Sequence, residues 1–536
     1  MLKTDVLLDM RGNNYVLHVG YHARDVLQPL GARWDVKQGG WLLPDGFSAQ
    51  DLTRLKTVMP TIHVSALIEQ QLQQKASKIS VLSALQSAQD STILCGGGLD
   101  PYQRVGIKFL VTAKKAILAD PVGLGKSAQA IRAAQEAGAQ RVLIVTKKSL
   151  IYNWLEQIGL WVVSENMPER FDVVNYEQVA LNLVQYVQNK YDVLIIDEAH
   201  MIKNRGTRNN PVKRTKALHT LADKIPYVWL LTGTPILNRP DELWSLLHTT
   251  DKRKYSSYWQ FVEKYCELDY HAWTGKRSVV LGVKPTATEA LSQELASVLI
   301  RRTKATVALP PLTRETVYVT LESVQQEMYT QMLQEFFLLL DNVGVLHAPT
   351  VLAQFTRLRQ LTCTPALLGG PDVSAKTTVV LDFVESYADE HKILVFSEFA
   401  KYVDILHKAL APYGAVKITG DMSARRRDES IQQLNADPAC RVLVGTLGAM
   451  GVGLNIQTAS VVITTDRSWV PAVMEQAEGR AHRRGQTKPV HVIDLHASGT
   501  LDDHIAAVLT KKEGIIDTVD VIMQMLRTHK SNRGRL

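Results

Sequence analysis

The chain has 536 residues, 46% hydrophobic and 21% charged, a balance that excludes a disordered chain and leaves room for three or four domain-sized units. Its N-terminal stretch MLKTDVLLDMRGNNYV lacks the apolar core of a secretory signal, and no run of about eighteen uncharged apolar residues occurs, so an intracellular protein without a membrane span is expected. The net charge of +8 sits in the middle of the chain: residues 96–370 hold 32 Lys and Arg against 25 Asp and Glu, whereas residues 1–95 hold 9 against 8 and residues 371–536 hold 20 against 20.

The first stretch reads as a small β-containing module. RWDV and GWLLP are short strands around the turn KQGG, and Trp34 and Trp41 stand there with Arg33 and Lys37. Aromatic rings beside cations can stack on exposed bases of a nucleic acid, and a two-tryptophan hairpin can equally be the core of a small domain. SALIEQQLQQKASKISVLSALQSAQ has helical spacing, and CGGG at residues 95–98 marks a hinge. Beyond it, the apolar runs KAILAD, RVLIVT, YDVLIID and YVWLLTG alternate with helical patterns, the mark of βαβ units around a buried parallel sheet. A second series, KILVFSE, GAVKITG, CRVLVGT, SVVITTD and PVHVIDL, follows residue 376, and the segment between the two series is mainly helical. The four cysteines, Cys95, Cys266, Cys363 and Cys440, are scattered, which points to buried thiols rather than a disulfide framework or a zinc site.

ILADPVGLGKSAQAI runs strand, glycine-rich loop, helix. Gly123 and Gly125 let backbone N–H groups wrap a phosphate, Lys126 reaches the outer phosphates, and the Ser127 hydroxyl can ligate magnesium. YDVLIIDEAH then brings Asp197 and Glu198 to the end of an apolar strand, where ligands of α/β sheets bind. With a phosphate loop upstream, Asp197 is expected in the magnesium shell, and Glu198 is expected to orient or deprotonate the attacking water. MIKNRGTRNNPVKRTK gathers Lys203, Arg205, Arg208, Lys213, Arg214 and Lys216 without a carboxylate, the footprint of a polyanion contact.

DPYQRVGIKFL, DPVGLGKSAQ, DEAH, LTGTPILNRPDELWSLL, LIRRTK, RLRQLTCTPAL, GAMGVGLNI and QAEGRAHRRGQ, in that order, resemble the motifs of the Swi/Snf family of helicase superfamily two across residues 96–510. The family usually has aspartate at the position of Asp120, whereas Pro121, Val122, Val470 and Arg484 depart from its pattern. The resemblance implies two RecA-like parallel-sheet lobes with a helical insertion and a small N-terminal module. The expected divisions are a module at 1–64, a helical linker and hinge at 65–98, lobe 1 at 99–250, the insertion at 251–375, lobe 2 at 376–510 and a helical tail at 511–536.

It also implies roles for single residues. Gln103 would read the adenine edge, Thr232 and Thr234 would couple the nucleotide site to nucleic acid, and Thr146, Lys147 and Lys148 would meet a phosphate backbone. The loop Gly448–Asn455 would touch both backbone and nucleotide. Gln476, Gly479, Arg480 and Arg483 match the pattern in which two arginines of the second lobe face a nucleotide held by the first. Spaced three apart, Arg480 and Arg483 are expected on one helix face, with Arg484 as a solvated or DNA-side neighbour. The N-terminal tryptophan hairpin resembles the HARP-type modules of annealing helicases.

The reading is a DNA-stimulated ATPase, acting with ATP and magnesium as a translocase on double-stranded or branched DNA. It would reanneal or remodel that DNA or displace proteins from it, and a monomer is expected. The alternatives are an ATPase that recycles a protein machine such as RNA polymerase, and a non-catalytic interaction protein on an ATPase scaffold. The location expected is cytoplasm or nucleoid for a bacterial or viral host and nucleus for a eukaryotic one.

Overall fold

Two short hairpins open the structure, a computed structural model that describes residues 6–502 apart from 12–13, 29–30, 44–46, 94–96, 164–167, 207–210, 234–239, 271–276, 304–308, 344–347, 451–455 and 469–470. Arg208, Thr234, Val470, the expected tail and most of the Gly448–Asn455 loop therefore lie outside the described residues. Val6–Arg11 (β1) pairs antiparallel with Asn14–His18 (β2), and Arg33–Asp35 (β3) pairs with Gly40–Leu42 (β4). Ile62–Val64 (β5) lies parallel to β1, giving a sheet of order β3-β4-β2-β1-β5. The turn between β3 and β4 is set by Asp35, whose carboxylate accepts from the N–H groups of Lys37 and Gln38, and by Gly39 at φ 63°.

The helix Ala66–Ser87 begins at Ser65, whose side chain accepts from the N–H of Ile68. At 22 residues it is about 33 Å long, and it belongs to two cores at once. Ile68 and Leu72 close the module's core with Leu8, Leu17, Trp41, Phe47 and Leu55, while Leu82 and Leu85 join the core of the next domain. No flexible joint separates them along this helix, so the module is mounted on a strut rather than ending at residue 64.

The first lobe is a parallel sheet of order β13-β6-β10-β9-β7-β8. Its strands are Lys115–Leu118 (β6), Arg141–Thr146 (β7), Arg170–Asn175 (β8), Val193–Asp197 (β9), Tyr227–Leu231 (β10) and Leu299–Ile300 (β13). An antiparallel hairpin, Cys266–Tyr270 (β11) and Arg277–Val283 (β12), stands apart from it. The central strands are fully buried on both faces, as their unbroken Val, Ile and Leu runs require.

The second lobe repeats the plan with order β14-β19-β18-β15-β17-β16, again all parallel. Its strands are Leu312–Val319 (β14), Lys392–Ser397 (β15), Val416–Ile418 (β16), Val442–Thr446 (β17), Ala459–Thr464 (β18) and Val490–Ala497 (β19). Segment 251–375 is therefore not a separate helical body. It supplies β13 to the first sheet, crosses over, and supplies β14 to the second. Among the described residues, no helix is long and apolar enough to cross a membrane.

Candidate nucleotide site between the lobes

The C-terminal ends of β6, β7, β9 and β10 converge, and the loop after β6 forms the floor of the site. Gly125 lies in the left-handed region at φ 71° and caps the helix Lys126–Glu136 without any side-chain partner, so the first N–H groups of that helix face the loop. A Cβ at Gly125 would lie 2.4 Å from Gln103 Nε2, and one at Gly123, with φ 95°, would lie 2.8 Å from Arg483 Cβ. Only glycine fits either place. Lys126 Nζ donates to the carbonyls of Asp120 at 2.7 Å and Pro121 at 3.3 Å. Burial pulls its pKa down, and Glu198, Asp120 and Asp197 oppose the shift. Ser127 follows at the second residue of the helix, half-buried.

Asp197 is held from three directions. Its Oδ2 accepts from Thr146 Oγ1 at 2.9 Å and Trp154 Nε1 at 2.8 Å, and its Oδ1 from the N–H of Glu198 at 3.0 Å. Burial, with the Glu198 charge added, raises its pKa, and a bound divalent cation would reverse that. Glu198 adopts left-handed φ 51°, ψ 49°, a conformation a glutamate keeps only where its surroundings enforce it, and the Tyr176 hydroxyl anchors both carbonyls of the pair. Burial pushes the Glu198 carboxyl up, but His200 Nδ1 at 3.2 Å from Oε2, together with Lys126 and Lys147, outweighs it and holds the pKa at about 2. Two adjacent acids thus differ: Glu198 stays ionised while Asp197 is poised for a cation. This donor set, a half-buried lysine, a helix N-terminus without a side-chain cap and the acid pair, fits a magnesium-bound nucleoside triphosphate.

The second lobe closes over this floor. Gly479 follows the end of the helix Pro471–Glu478, and a Cβ there would lie 3.1 Å from Val122 Cγ1, so the loop's unusual Val122 packs against the backbone turn. Contrary to the expectation from their spacing, Arg480 and Arg483 do not lie on a helix face. The helix stops at Glu478, and the two arginines are carried by successive tight turns in which Arg480 N bonds Ala477 O and Arg483 N bonds Ala481 O. Arg480 is 5% exposed. Burial and the neighbouring Arg483 lower its pKa to about 10, against Glu198 and Asp197, so it remains a cation at neutral pH beside both acids. Burial lowers Arg483 as well. Gln476 is half-buried on the helix below them.

Several candidates stand elsewhere than expected. Thr146 is wholly buried on Asp197 and Lys147 is half-buried, its charge helping to keep Glu198 ionised, so of the three residues expected on a phosphate backbone only Lys148 is exposed. Gln103 is fully buried: its Oε1 accepts from Asp100 N at 3.0 Å, and its Nε2 donates to Leu124 O at 3.3 Å. Through these bonds it braces the loop. Lys203 pairs with Glu242 at 2.8 Å, and Arg205 lies 3.9 Å over the Tyr258 ring, so this basic stretch is partly engaged by its own lobe. Thr232 is buried, its N–H bonded to Leu118 O. Trp41 is 1% exposed and offers no face to a base, because it is packed between the module's core and the Tyr21 ring. Trp34 is half-buried and Tyr21 is 54% exposed.

The structure also adds Arg302, from LIRRTK just after β13. Its Nε donates to Asp120 Oδ1 at 2.9 Å, its backbone N–H donates to the same oxygen at 3.1 Å, and it bridges to Gln129 Oε1 at 2.7 Å. A Cβ at Gly106 would lie 2.7 Å from its guanidinium, so that glycine makes the space. This gives the Asp120 of the loop a structural task. Arg302→Ala leaves that carboxylate buried without its cation, held by the Gln129 amide at 3.2 Å, and should cost about 3–5 kcal/mol. Thermal unfolding followed by circular dichroism should show a melting midpoint lowered by roughly 5–15 °C. An unchanged midpoint would mean that the loop is held by other means.

A family model described as the SNF2-related domain matches residues 102–367, and one described as the helicase conserved C-terminal domain matches residues 375–485. The chain is 29% identical to the human SWI/SNF-related matrix-associated actin-dependent regulator of chromatin subfamily A member 1, over 76% of this chain and 42% of that protein. It is 29% identical to the DNA annealing helicase and endonuclease ZRANB3 of Bos taurus, over 77% of this chain and 40% of that protein. A third relative, the SWI/SNF-related subfamily A-like protein 1 of Xenopus tropicalis, is 26% identical over 93% of this chain and 54% of its own length. The chain spans about two fifths of the length of the first two relatives.

Proposed function

The chain belongs to the Swi/Snf family of helicase superfamily two, and from that premise we propose that it is a DNA-stimulated ATPase that translocates on double-stranded DNA and reanneals or remodels branched structures. The observation that carries the reading is that Arg480, buried on the second lobe, feels the charges of the acid pair on the first, with Arg483 packed on Gly123. Both arginines come from lobe 2, while the phosphate loop and acids come from lobe 1, so hydrolysis requires closure. A motor steps when closure is coupled to its grip on a track.

Bound ATP supplies the phosphoryl group that is transferred to water. Lys126 and the first N–H groups of its helix would hold the outer phosphates, and Ser127 and Asp197 would hold the magnesium. Glu198, ionised and fixed by His200, would take the proton of the attacking water, and the guanidinium forks of Arg480 and Arg483 would steady the charge developing on the phosphate oxygens. Lys148, Lys203 and Arg205, with Arg208 outside the described residues, are the proposed contacts to the DNA backbone. Displacement of a third strand from a triplex by the full chain with ATP tests translocation, and a triplex that stays intact would refute it.

The N-terminal module is proposed to engage forks through Tyr21 and Trp34, with the exposed Arg33 and Lys37 as phosphate partners and Trp41 as their packed support. Tyr21→Ala combined with Arg33→Glu and Lys37→Glu should weaken fork binding by about tenfold or more in a fluorescence anisotropy titration, with ATP turnover on duplex DNA retained. Equal fork affinity would defeat that role. Trp41→Ala is a different change, since emptying a core tryptophan costs about 3–5 kcal/mol and unfolds a module this small.

A further inference from the structure

Arg484, expected as a solvated or DNA-side neighbour of the two candidate fingers, crosses to the first lobe instead. Its Nε lies 2.8 Å from Asp100 Oδ2, and one Nη lies 3.3 Å from both Asp100 Oδ1 and Gly98 O. The other Nη lies 3.3 Å from Gln103 Oε1, and the guanidinium sits over the Trp161 ring at 5.8 Å. All of these partners belong to lobe 1 or to the segment that leads into it. Asp100 is the N-cap of the helix Pro101–Ala113, Gln103 completes its capping box and braces Gly125, and Gly98 ends the linker from the N-terminal strut.

We propose that Arg484 is a positioning residue that clasps the second lobe to the first in the closed state and ties that closure both to Gln103 beneath the phosphate loop and to the linker of the N-terminal module. The proposal rests on the reading of the two lobes as an ATP motor only for its consequence in turnover; the clasp itself is a property of the lobe contact. A guanidinium suits the task because its planar fork meets two carboxylate oxygens and two carbonyl oxygens at once, which a lysine cannot do. Arg484 and Asp100 side chains are each 33% exposed, so the attraction is screened by salt and weak enough to break in every cycle. The buried Asp120–Arg302 pair is a permanent joint by comparison, with both partners nearly sealed from water.

The test uses the full chain with donor and acceptor dyes on Leu155→Cys and Glu429→Cys, exposed positions on the two lobes. Energy transfer is measured with magnesium and the non-hydrolysable analogue AMP-PNP at low and high salt. Arg484→Met, and Asp100→Asn, which keeps a good N-cap, should each lower the closed-to-open ratio by about fivefold at low salt, and the difference from wild type should shrink at high salt. Asp100→Arg together with Arg484→Asp should restore more closure than either reversal alone. The proposal is overturned if both neutral variants close like wild type, or if the double reversal closes no better than the worse single change. Turnover is read on the same samples. A wild-type chain that closes through Arg484 but hydrolyses no ATP would sink the motor reading while leaving the clasp in place.

Discussion

Replacing Arg480 or Arg483 by alanine is expected to lower ATP turnover about a thousandfold or more, with nucleotide binding and the fold largely kept. The effect is large because each cation acts where water is excluded. Arg480 is 5% exposed, remains protonated at neutral pH and is attracted by Glu198 and Asp197 across the lobe boundary. In such a site a fixed charge stabilises developing negative charge far more than it would in solvent, and it needs no reorganisation at the moment of reaction. Arg480→Lys is the informative companion, since it keeps the charge but loses the fork; it should recover part of the rate. The checks are steady-state hydrolysis, ATP affinity and the melting midpoint on the same protein. A mild loss that salt removes would mean that these arginines form a basic turn with no part in hydrolysis.

Glu198→Gln should abolish steady turnover, by about a hundred- to ten-thousandfold, and still bind ATP, whereas Lys126→Ala should lose both. The two outcomes differ for a physical reason. Glutamine keeps the size of Glu198, its left-handed backbone and the carbonyl anchor on Tyr176, and loses only the ionised oxygen that His200 and Lys126 hold deprotonated. Lysine 126 is instead the cation that faces three carboxylates, Glu198, Asp120 and Asp197. Asp120 keeps Arg302, but removing Lys126 takes away a cation that offsets Glu198 and Asp197 and would hold the outer phosphates, so an incoming polyphosphate is repelled. Fluorescent ATP binding alongside hydrolysis separates the cases, and wild-type turnover in Glu198→Gln would overturn its assignment.

What could be read from the sequence follows the burial of each element. Strands β6, β7, β9, β10, β15, β17, β18 and β19 were legible because strands inside a parallel sheet are apolar runs, and the short edge strand β16 was legible through its Val and Ile between glycines. Strands β8, β13 and β14 were not. Each lies at a sheet edge: β14 reads LTRETVYV with polar residues facing solvent, and β13 is two residues long. The phosphate loop and the acid pair were legible because their chemistry is local. The partners that fix them were not, since Arg302 and Asp120 are 182 residues apart, and nothing in a linear reading joins Trp154 or Tyr176 to Asp197. The same limit explains Trp41 and Thr146. Composition identifies residues that can stack or contact phosphate, but packing decides that Trp41 is core and that Thr146 serves Asp197. Arg484 shows the converse, a departure from the family pattern whose partners lie almost four hundred residues earlier.

The central claim is that two lobes close an ATP site in response to a DNA track, and its most direct test is ATP turnover by the full chain with duplex DNA, single-stranded DNA, forked DNA, RNA and no nucleic acid, all at one salt concentration. The expected result is a low basal rate raised strongly by duplex and forked DNA and little by RNA, with the stimulation absent in Arg480→Ala although that variant still binds duplex. A rate that is the same with and without nucleic acid, or that RNA raises as far as duplex DNA does, would contradict the account.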